Sequence, residues 1–372
     1  MKKISFIFGT RPELIKLYPL INEFKKKNKF KITTICTSQH KELIDDIIKI
    51  FNIKIDYRLS PMKTRQTLQD ISIKIFKELD IILNKIKPNM VFVQGDTTTA
   101  TISSLLAFYK KIEISHIEAG LRTYDNQNPF PEEANRKIIS SITTFHFAPT
   151  QNCKNNLIKE GYSPKSILVT GNTVVDTLNQ FKVKIDKNKY KYDKFFYKKY
   201  NIKIDQKIIL FTCHRRESFN SKINDIFNAI MKIALNNSNI QIVYPIHLNP
   251  FIKSKVNKFF KDVENIKVLP PLSYDKMIYI LMNCEFLITD SGGLQEEAPS
   301  FKKFAIVTRD KTERKESIDN NISKIVGSNR LKIYKIADQL INGKIKYKIK
   351  TNPYGNGYAS NKIFNFINNR IK

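Results

Sequence analysis

The sequence FPEEANR, residues 130–136, places two carboxylates, Glu132 and Glu133, directly after a proline. Acidic side chains are scarce in this chain, which has 34 Asp and Glu residues against 64 Lys and Arg residues. Proline suits the first position of a helix, and acids in the first turn interact favourably with the helix dipole. By itself the motif is therefore typical of an ordinary helix start. A catalytic carboxylate is the alternative that the rest of the chain must support.

Two further carboxylates follow apolar runs that read as buried strands. In QGDTTTAT, Asp96 comes after the run at residues 90–93, and in HIEAGLRT, Glu118 ends the run at residues 114–117. Asp96 is also explained as a helix cap with threonine neighbours. Glu118, followed by a tight Ala-Gly turn, is harder to explain as structure alone. Ligands of open parallel sheets bind beyond the carboxyl ends of the strands, so this placement indicates a site.

Glycine, hydroxyl and basic side chains follow other predicted strands. In TDSGGLQEEA, Ser291 and two glycines open a helix, where bare amides and a hydroxyl can hold a phosphate. Glu297, one turn later, could face a ribose. GTRPELIK offers a similar turn, and CHRRES supplies donors with the fork geometry that suits a diphosphate. Each motif alone is also explained as an ordinary turn in a basic protein. The candidate anion-binding residues are Arg11, Lys16, His214, Arg215, Arg216, His247, Ser291, Gly292, Gly293 and Arg314.

These motifs divide between the two halves of the chain. The first half offers three carboxylates, Asp96, Glu118 and one of the 132/133 pair, and the second half offers donors for a nucleotide diphosphate. Carboxylates opposite a bound diphosphate suit proton abstraction or glycosyl-bond chemistry. No Gly-rich dinucleotide fingerprint is present, so we expect no redox cofactor. The five histidines and four cysteines lack metal-ligand spacing, so we expect no metal and reduced thiols.

Composition narrows the class of protein. At 372 residues the chain is long enough for two domains. No apolar run approaches the 18 or so residues of a membrane span, and the five-residue run near the N-terminus is too short for a signal peptide. We therefore expect a cytoplasmic protein with no membrane partner. The net charge of +30 is typical of nucleic-acid-binding proteins. The lysines, however, are spread along the whole chain without a recognition motif, which favours a diffuse positive field that attracts an anionic substrate.

Short apolar runs alternate with amphipathic helical patterns, which predicts two parallel α/β domains. The lysine- and tyrosine-rich segment at 182–207 has no clear period and is interpreted as a solvated connection with room for one helix. Strands are predicted at 4–8, 32–36, 90–93, 114–117, 145–148, 167–169, 208–211, 240–244, 266–269 and 286–288. Helices are predicted at 14–24, 43–51, 66–86, 222–236, 251–261, 273–283 and 358–371.

Eight motifs occur in a characteristic order, namely GTRPE, GDTTT, HIEAGLRT, PEEANR, CHRRES, HLNP, TDSGGLQEEAPS and NPYGNG. With them the chain resembles the bacterial non-hydrolysing UDP-N-acetylglucosamine 2-epimerases from residue 3 to its end. The resemblance implies two Rossmann-like domains facing a cleft (GT-B type), with the C-terminal helix returning to the first domain. It implies a first domain of residues 1–172 and 356–372 that carries the catalytic carboxylates, and a UDP-binding domain of residues 173–355. It also implies a homodimer that needs neither NAD nor metal.

The resemblance further implies a reaction that interconverts UDP-GlcNAc and UDP-ManNAc. The C2 proton is removed and UDP is expelled to give 2-acetamidoglucal, and UDP then adds back with the opposite configuration at C2. By matching motif, the catalytic residues are Asp96, Glu118, Glu132 and His214. The substrate and UDP contacts are Arg11, Lys16, His247, Ser291, Gly292, Gly293, Glu297 and Arg314. A second, activating UDP-GlcNAc site matches Gln39, Arg65, Glu133 and Arg216, with Glu42 where glutamine is common, which leaves regulation open.

Other functions remain as alternatives. A hydrolysing epimerase would release ManNAc and UDP, but its motifs replace GTRPE and GDTTT. A 2-epimerase of a modified UDP-2-acetamido sugar would share the fold, although PEEANR, GNT and QEEAPS resemble the GlcNAc type more closely. A GT-B glycosyltransferase with a lipid or sugar acceptor is a third possibility, and a nucleic-acid-binding protein is the alternative from another class.

Overall fold

The computed structural model of the protein describes residues 1–39, 41–60, 66–213, 221–246 and 249–370, without the side chains of residues 41–43, 221 and 250. The chain divides into two compact units. The first unit comprises Met1–Thr177 together with Tyr354–Lys372, and the second comprises Leu178–Pro353.

The first unit is built on a parallel sheet. Its strands are β1 (Lys3–Phe8), β2 (Lys31–Cys36), β3 (Tyr57–Arg58), β4 (Met90–Gln94), β5 (Glu113–Ile117), β6 (Phe145–Ala148) and β7 (Ile167–Val169). Among the described residues these seven pair in the order β3-β2-β1-β4-β5-β6-β7, each parallel to its neighbours. The strand order reverses between β1 and β4, and this switch point is where doubly wound sheets bind ligands.

Helices connect these strands, and one more helix follows the last strand. They are α1 (Arg11–Lys27), α2 (Lys41–Phe51), α3 (Leu68–Ile86), α4 (Thr98–Tyr109), α5 (Glu132–Ile142), α6 (Gln151–Lys159) and α7 (Thr173–Asp186). The helices predicted at 14–24, 43–51 and 66–86 are confirmed, whereas those at 151–159 and 173–186 received no prediction. In α1 the four apolar residues expected on one face, Leu14, Leu17, Ile21 and Phe24, are all fully buried. The helix buries this face because the residues recur at the 3.6-residue period.

The second unit repeats the same topology. Its strands are β8 (Lys207–Thr212), β9 (Ile240–Pro245), β10 (Ile266–Leu269), β11 (Cys284–Thr289), β12 (Phe304–Val307) and β13 (Ser323–Ile325). Among the described residues these six pair in parallel in the order β10-β9-β8-β11-β12-β13. The switch point of this sheet therefore lies between β8 and β11. Its helices are α8 (Lys189–Tyr200), α9 (Ser221–Leu235), α10 (Pro250–Phe260), α11 (Tyr274–Asn283), α12 (Gly292–Glu297), α13 (Lys315–Asp319) and α14 (Arg330–Ile341).

The segment at residues 182–207, predicted to be a solvated connection with room for one helix, contains one complete helix, which is anchored by a buried ring. Helix α7 continues to Asp186, and α8 occupies most of the remaining segment. Phe196 is fully buried, and its ring stacks on Tyr279 with the ring centroids 5.2 Å apart. Tyr192, one turn earlier, stacks on the same ring. An aromatic pair four residues apart thus anchors α8, and the many surrounding lysines conceal it in the sequence.

The last helix, α15 (Ala359–Arg370), belongs to the first unit. It packs against α1, where the rings of Phe24 and Phe364 meet edge to face at 5.1 Å. Asp176 in α7 accepts hydrogen bonds from the first backbone amides of α15, Ala359 N at 3.2 Å and Ser360 N at 2.8 Å. The return of the C-terminal helix to the first unit is therefore as expected.

Among the described residues, no helix is both long and apolar enough to cross a membrane.

Candidate active site at the strand ends

The turn after β1 lies in close contact with the turns after β2 and β4. A Cβ on Gly9 would overlap the hydroxyl groups of Thr37 and Thr99, which are hydrogen-bonded to each other at 2.8 Å. Gln39 completes this cluster, because its Oε1 accepts from Thr99 N at 3.2 Å and from Thr99 Oγ1 at 2.7 Å. Only glycine fits at residue 9. The close packing brings the loops on both sides of the switch point together.

Glu118 lies at this edge of the sheet with both carboxylate oxygens engaged. Lys16 Nζ donates to Oε1, and Gln94 Nε2 donates to Oε2. The backbone of Glu118 has φ +68°, in the left-handed region that non-glycine residues seldom occupy. A Cβ on Gly95 would lie 3.7 Å from Glu118 Oε2, so this carboxylate borders the turn that carries Asp96. Glu118 is thus both buried and fixed by a cation.

Asp96 is held from the side of α5. Arg136 donates to Asp96 Oδ2 through Nε, at 2.8 Å, and its Nη2 lies 2.6 Å from the same oxygen. Asn135 Nδ2 donates to the backbone carbonyl of Asp96 at 2.8 Å. Two consecutive residues of FPEEANR therefore fix the turn after β4. The side chain of Asp96 remains 24% exposed, which leaves it accessible to a ligand.

The two glutamates that open α5 have different environments. Glu133 is fully buried and accepts from the amides of Thr123 and Tyr124 at 3.0 and 2.9 Å. Burial raises its pKa, but these amides and Arg136 more than compensate and hold the pKa below its usual value. Glu132 is half-buried, and its Oε2 is buried without a hydrogen-bond partner among the described residues. Glu132 and Arg136 are four residues apart, so both lie on the helix face that contacts Asp96.

Glu13 is a buried carboxylate that the sequence reasoning missed. Its Oε2 accepts from Gly9 N at 2.9 Å and Thr10 N at 2.7 Å, and its Oε1 accepts from Thr97 Oγ1 at 2.7 Å. Burial raises the pKa of Glu13 to about 7. The amides that could have bound an external anion therefore serve an internal carboxylate. The spacing Thr10-x-x-Glu13 is that of a capping box, and this signal was available in the sequence. Arg11 is the first residue of α1.

The surroundings of two histidines in the same sheet indicate a structural role for both. His116 and His146 are paired across β5 and β6, and both are buried. His116 Nε2 lies 2.7 Å from the carbonyl oxygen of Gly95, so this nitrogen carries the proton and donates. Burial lowers the pKa of His116 to about 4 and that of His146 to about 3. Both rings are neutral at physiological pH, and His116 supports the turn before Asp96.

In the second unit, the segment after β11 turns directly into α12. Ser291 is the N-cap of this helix, and its hydroxyl accepts from Leu294 N at 3.4 Å. The Arg314 guanidinium lies against Gly292, where a Cβ would be 3.2 Å from its Cζ. Glu296 Oε1 accepts from Arg314 Nε at 2.8 Å, and Glu313 also contacts this guanidinium. The structure thus brings the predicted Ser291, Gly292 and Arg314 together.

Other acids of this segment are largely buried. Glu297 Oε1 accepts from the hydroxyl of Tyr274 at 3.1 Å. Asp290 is fully buried at the end of β11, and burial together with Asp290 raises the pKa of the Cys213 thiol well above its usual value. Cys213 at the end of β8 is therefore a neutral thiol. Glu296 and Tyr274 were not found from the sequence, because their roles depend on which helix faces meet.

Several predicted site residues lie outside the described part of the chain. These are Arg65, His214, Arg215, Arg216 and His247, together with the side chain of Glu42. Among the described residues, no group of three or more His, Cys, Asp or Glu side chains is arranged to hold a metal ion. The described cysteines, Cys36, Cys153, Cys213 and Cys284, are free and buried.

Two doubly wound parallel sheets, each with charged or glycine-rich turns at its switch point, define an α/β protein of the GT-B type, as expected. A family model described as UDP-N-acetylglucosamine 2-epimerase matches residues 22–368. The chain belongs to the UDP-N-acetylglucosamine 2-epimerase family, so the resemblance inferred from its motifs is confirmed.

Individual relatives are similar along the whole chain. A UDP-N-acetylglucosamine 2-epimerase of Campylobacter jejuni is 44% identical, over 99% of this chain and 97% of that protein. The crystal structure of the Neisseria meningitidis UDP-GlcNAc 2-epimerase bound to UDP-GlcNAc has a TM-score of 0.92 at 40% identity, covering 99% and 100% of the two chains. The Methanocaldococcus jannaschii UDP-GlcNAc 2-epimerase in complex with UDP-GlcNAc and UDP has a TM-score of 0.83 at 33% identity, covering 99% of each chain.

Proposed function

We propose that the protein interconverts UDP-N-acetylglucosamine and UDP-N-acetylmannosamine by inverting C2, without hydrolysis and without a cofactor. The convergence of Asp96, Glu118 and the α5 helix at the switch point of the first sheet carries this proposal. Membership of the 2-epimerase family and full-length similarity to relatives solved with UDP-GlcNAc support the choice of substrate.

The proposed chemistry is an elimination followed by an addition. A carboxylate removes the C2 proton while the bond from C1 to the diphosphate oxygen breaks, which leaves a C1–C2 double bond and free UDP. In the reverse sense a proton adds to the opposite face of C2, and the diphosphate oxygen re-forms its bond to C1. The C2 proton is weakly acidic, so the base must be close to it and partly desolvated.

Within the first unit we assign the acid–base work to Asp96, Glu118 and Glu132. Asp96 and Glu118 are each paired with a cation, Arg136 and Lys16 respectively, which holds each carboxylate in place. Glu132 has a buried oxygen without a partner among the described residues, so it is the group whose hydrogen-bonding capacity is left for a substrate.

We assign UDP binding to a nucleotide domain of residues 173–355, which contains the second unit, Leu178–Pro353. The hydroxyl of Ser291, the amides of Gly292 and Gly293, and the Arg314 guanidinium suit the diphosphate, since helix starts and guanidinium groups bind phosphate oxygens. Glu297 suits the ribose hydroxyls. By matching motif, His214 is assigned to the leaving diphosphate, and His247, Arg11 and Lys16 are assigned to further substrate or UDP contacts.

We further propose a homodimer and a regulatory UDP-GlcNAc site. Of the residues assigned to that site, Gln39 and Glu133 lie in the described part of the first unit. Gln39 contacts Thr99 at the switch point, and Glu133 is linked through Arg136 to Asp96. Both residues thus contact groups that adjoin the proposed catalytic carboxylates. Glu42, Arg65 and Arg216 are the remaining members of the proposed site.

Product analysis separates this function from its alternatives. The purified protein is incubated with UDP-GlcNAc, and the mixture is resolved by anion-exchange chromatography and NMR. UDP-ManNAc in equilibrium with UDP-GlcNAc is the expected result. Free ManNAc with one equivalent of UDP would instead identify a hydrolysing epimerase. Turnover of a diacetamido-uronate UDP-sugar with UDP-GlcNAc left unchanged would identify an epimerase of modified sugars.

A further inference from the structure

One buried guanidinium in the first unit bridges two carboxylates. Arg136 Nε and Nη2 contact Asp96 Oδ2 at 2.8 and 2.6 Å, while Nη1 donates to Glu133 Oε2 at 3.0 Å. The side chain of Arg136 is 6% exposed and that of Glu133 is fully buried. The planar guanidinium fixes the direction of each hydrogen bond, and both of its contacts with Asp96 reach Oδ2, so this oxygen is held in place.

The network continues beyond Glu133 into the loop after β5. The amides of Thr123 and Tyr124 donate to the two oxygens of Glu133, so this carboxylate is held from two sides. Arg136 therefore rests on an anchored partner, and its position does not depend on Asp96 alone. The anchored chain of contacts runs from the β5 loop through the first turns of α5 to the turn after β4.

We propose that Arg136 is a positioning residue for Asp96, and that the fully buried Glu133 is the anchor that fixes Arg136. The inference rests on the proposed function, in which Asp96 is one of the acid–base carboxylates. A carboxylate that exchanges a proton with carbon must be held close to the reacting geometry, because small misplacements are costly in rate. Arg136 faces Asp96 from α5 and takes no part in the bond changes itself.

A positioning role has a signature that a merely structural role lacks. If Arg136 acts on turnover only through Asp96, removing the Asp96 carboxylate also removes the benefit of Arg136. The two losses in kcat are then strongly non-additive, as for residues that act as one unit. A general loss of folding would instead add to the loss caused at Asp96.

The experiment is a double-mutant cycle on the full-length protein with UDP-GlcNAc as substrate. The variants are Asp96→Asn, Arg136→Gln and the double variant, each with kcat, KM and a thermal melt. Arg136→Lys is the conservative variant, which keeps the charge but not the fork. Arg122→Lys is the matched control, since Arg122 is also a buried arginine in a forked ion pair, with Glu160 at 2.7 and 2.8 Å.

We expect Arg136→Gln to lower kcat roughly 10²-fold with KM changed less than about threefold. Arg136→Lys should recover part of the loss, and the double variant should be no slower than Asp96→Asn. Arg122→Lys should lower the melting temperature but leave kcat within about twofold. Losses that add in the double variant would overturn the positioning role but leave the proposed function standing. A loss of kcat in Arg122→Lys as large as that in Arg136→Lys would do the same. A wild-type protein without turnover of UDP-GlcNAc would overturn the proposed function and this inference with it.

Discussion

The turn after β4 in the first unit and the turn after β11 in the second occupy equivalent places in the two sheets. Each turn carries an aspartate. Asp290 directly follows β11, and Asp96 follows β4 with one residue between them. The two acids have opposite environments. The side chain of Asp96 is 24% exposed and paired with Arg136, whereas Asp290 is fully buried beside Cys213. At equivalent positions of the two sheets, the aspartate is thus accessible in the first unit and buried in the second.

The residues that follow these acids sharpen the difference. In the first unit three threonines begin α4, and Thr97 Oγ1 both caps this helix and donates to Glu13. In the second unit Ser291 and two glycines begin α12, beside the guanidinium of Arg314. At the first switch point, the backbone amides of Gly9 and Thr10 donate to the internal carboxylate of Glu13. The second switch point places small residues at its helix start beside Arg314, whose guanidinium also pairs with Glu296 and Glu313. The proposed function assigns this arrangement to an external anion.

The largest effect is expected at Glu132, whose substitution separates chemistry from nucleotide binding. In the proposed mechanism, Glu132→Gln removes a proton-accepting oxygen and leaves the second unit unchanged. We expect kcat to fall about 10²–10⁴-fold, the usual contribution of a general base, with the UDP dissociation constant nearly unaltered. Steady-state kinetics and calorimetric titration with UDP provide the two numbers. The exposed Glu113, changed to Gln, is the control, and wild-type turnover in Glu132→Gln would leave Glu132 as an ordinary acid in the first turn of its helix.

The next largest effect is expected on the free energy of unfolding, through the internal carboxylate of Glu13. The pKa of Glu13 is about 7 in the folded protein, against an ordinary glutamate value of 4.5, so the folded state retains a proton that the unfolded state has released. The contribution of Glu13 to stability therefore falls as pH rises from about 4.5 to 7, by roughly 3 kcal/mol.

Glu13→Gln keeps the shape of the side chain and does not titrate. We expect the variant to gain stability relative to wild type across this pH window, and to hold the gain at higher pH. Urea unfolding of both proteins at several pH values from 5 to 8 measures the difference, in which other titrating groups cancel. A difference that does not change with pH would contradict the raised pKa.

The smallest of these effects is expected at the glycines of the second unit. A Cβ on Gly292 would lie 3.2 Å from Arg314 Cζ, so Gly292→Ala must displace the guanidinium. We expect the UDP dissociation constant to rise about tenfold, the loss of one charge-assisted hydrogen bond. In Gly293→Ala the added carbon meets Ser291 Oγ at an ordinary 3.8 Å, so the loss should be smaller. Equal losses in the two variants would show that Arg314 is not the affected group.

Much of the fold could be predicted from periodicity. The alternation of apolar runs and helical patterns gives the two parallel sheets, because β1 and the strands like it are buried on both faces. The one helix allowed for in the segment at 182–207 is present, but the burial of Phe196 was not predicted, since the many lysines around it suggest a fully exposed segment. Other elements received no prediction, among them the short strands β12 and β13 and the helices α6 and α14. A short apolar run alone does not distinguish a strand from part of a buried helix.

The candidate site could be predicted less completely. Asp96 and Glu118 were found because strand ends in parallel sheets share one edge. Their partners Arg136, Lys16 and Gln94 depend on which side of a helix or strand faces the site, and the sequence does not specify that contact. Arg136 lies four residues after Glu132, and this spacing was the local sign of a shared helix face.

The central claim is that carboxylates of the first unit exchange a proton at C2 of the sugar. Proton NMR of the wild-type protein with UDP-GlcNAc in D2O tests it most directly. We predict that the C2 proton signal is lost as UDP-ManNAc appears, with deuterium at C2 in the product, and that Glu132→Gln shows neither change. Formation of UDP-ManNAc with the C2 proton retained, or no exchange at C2 in the wild-type protein, would contradict it.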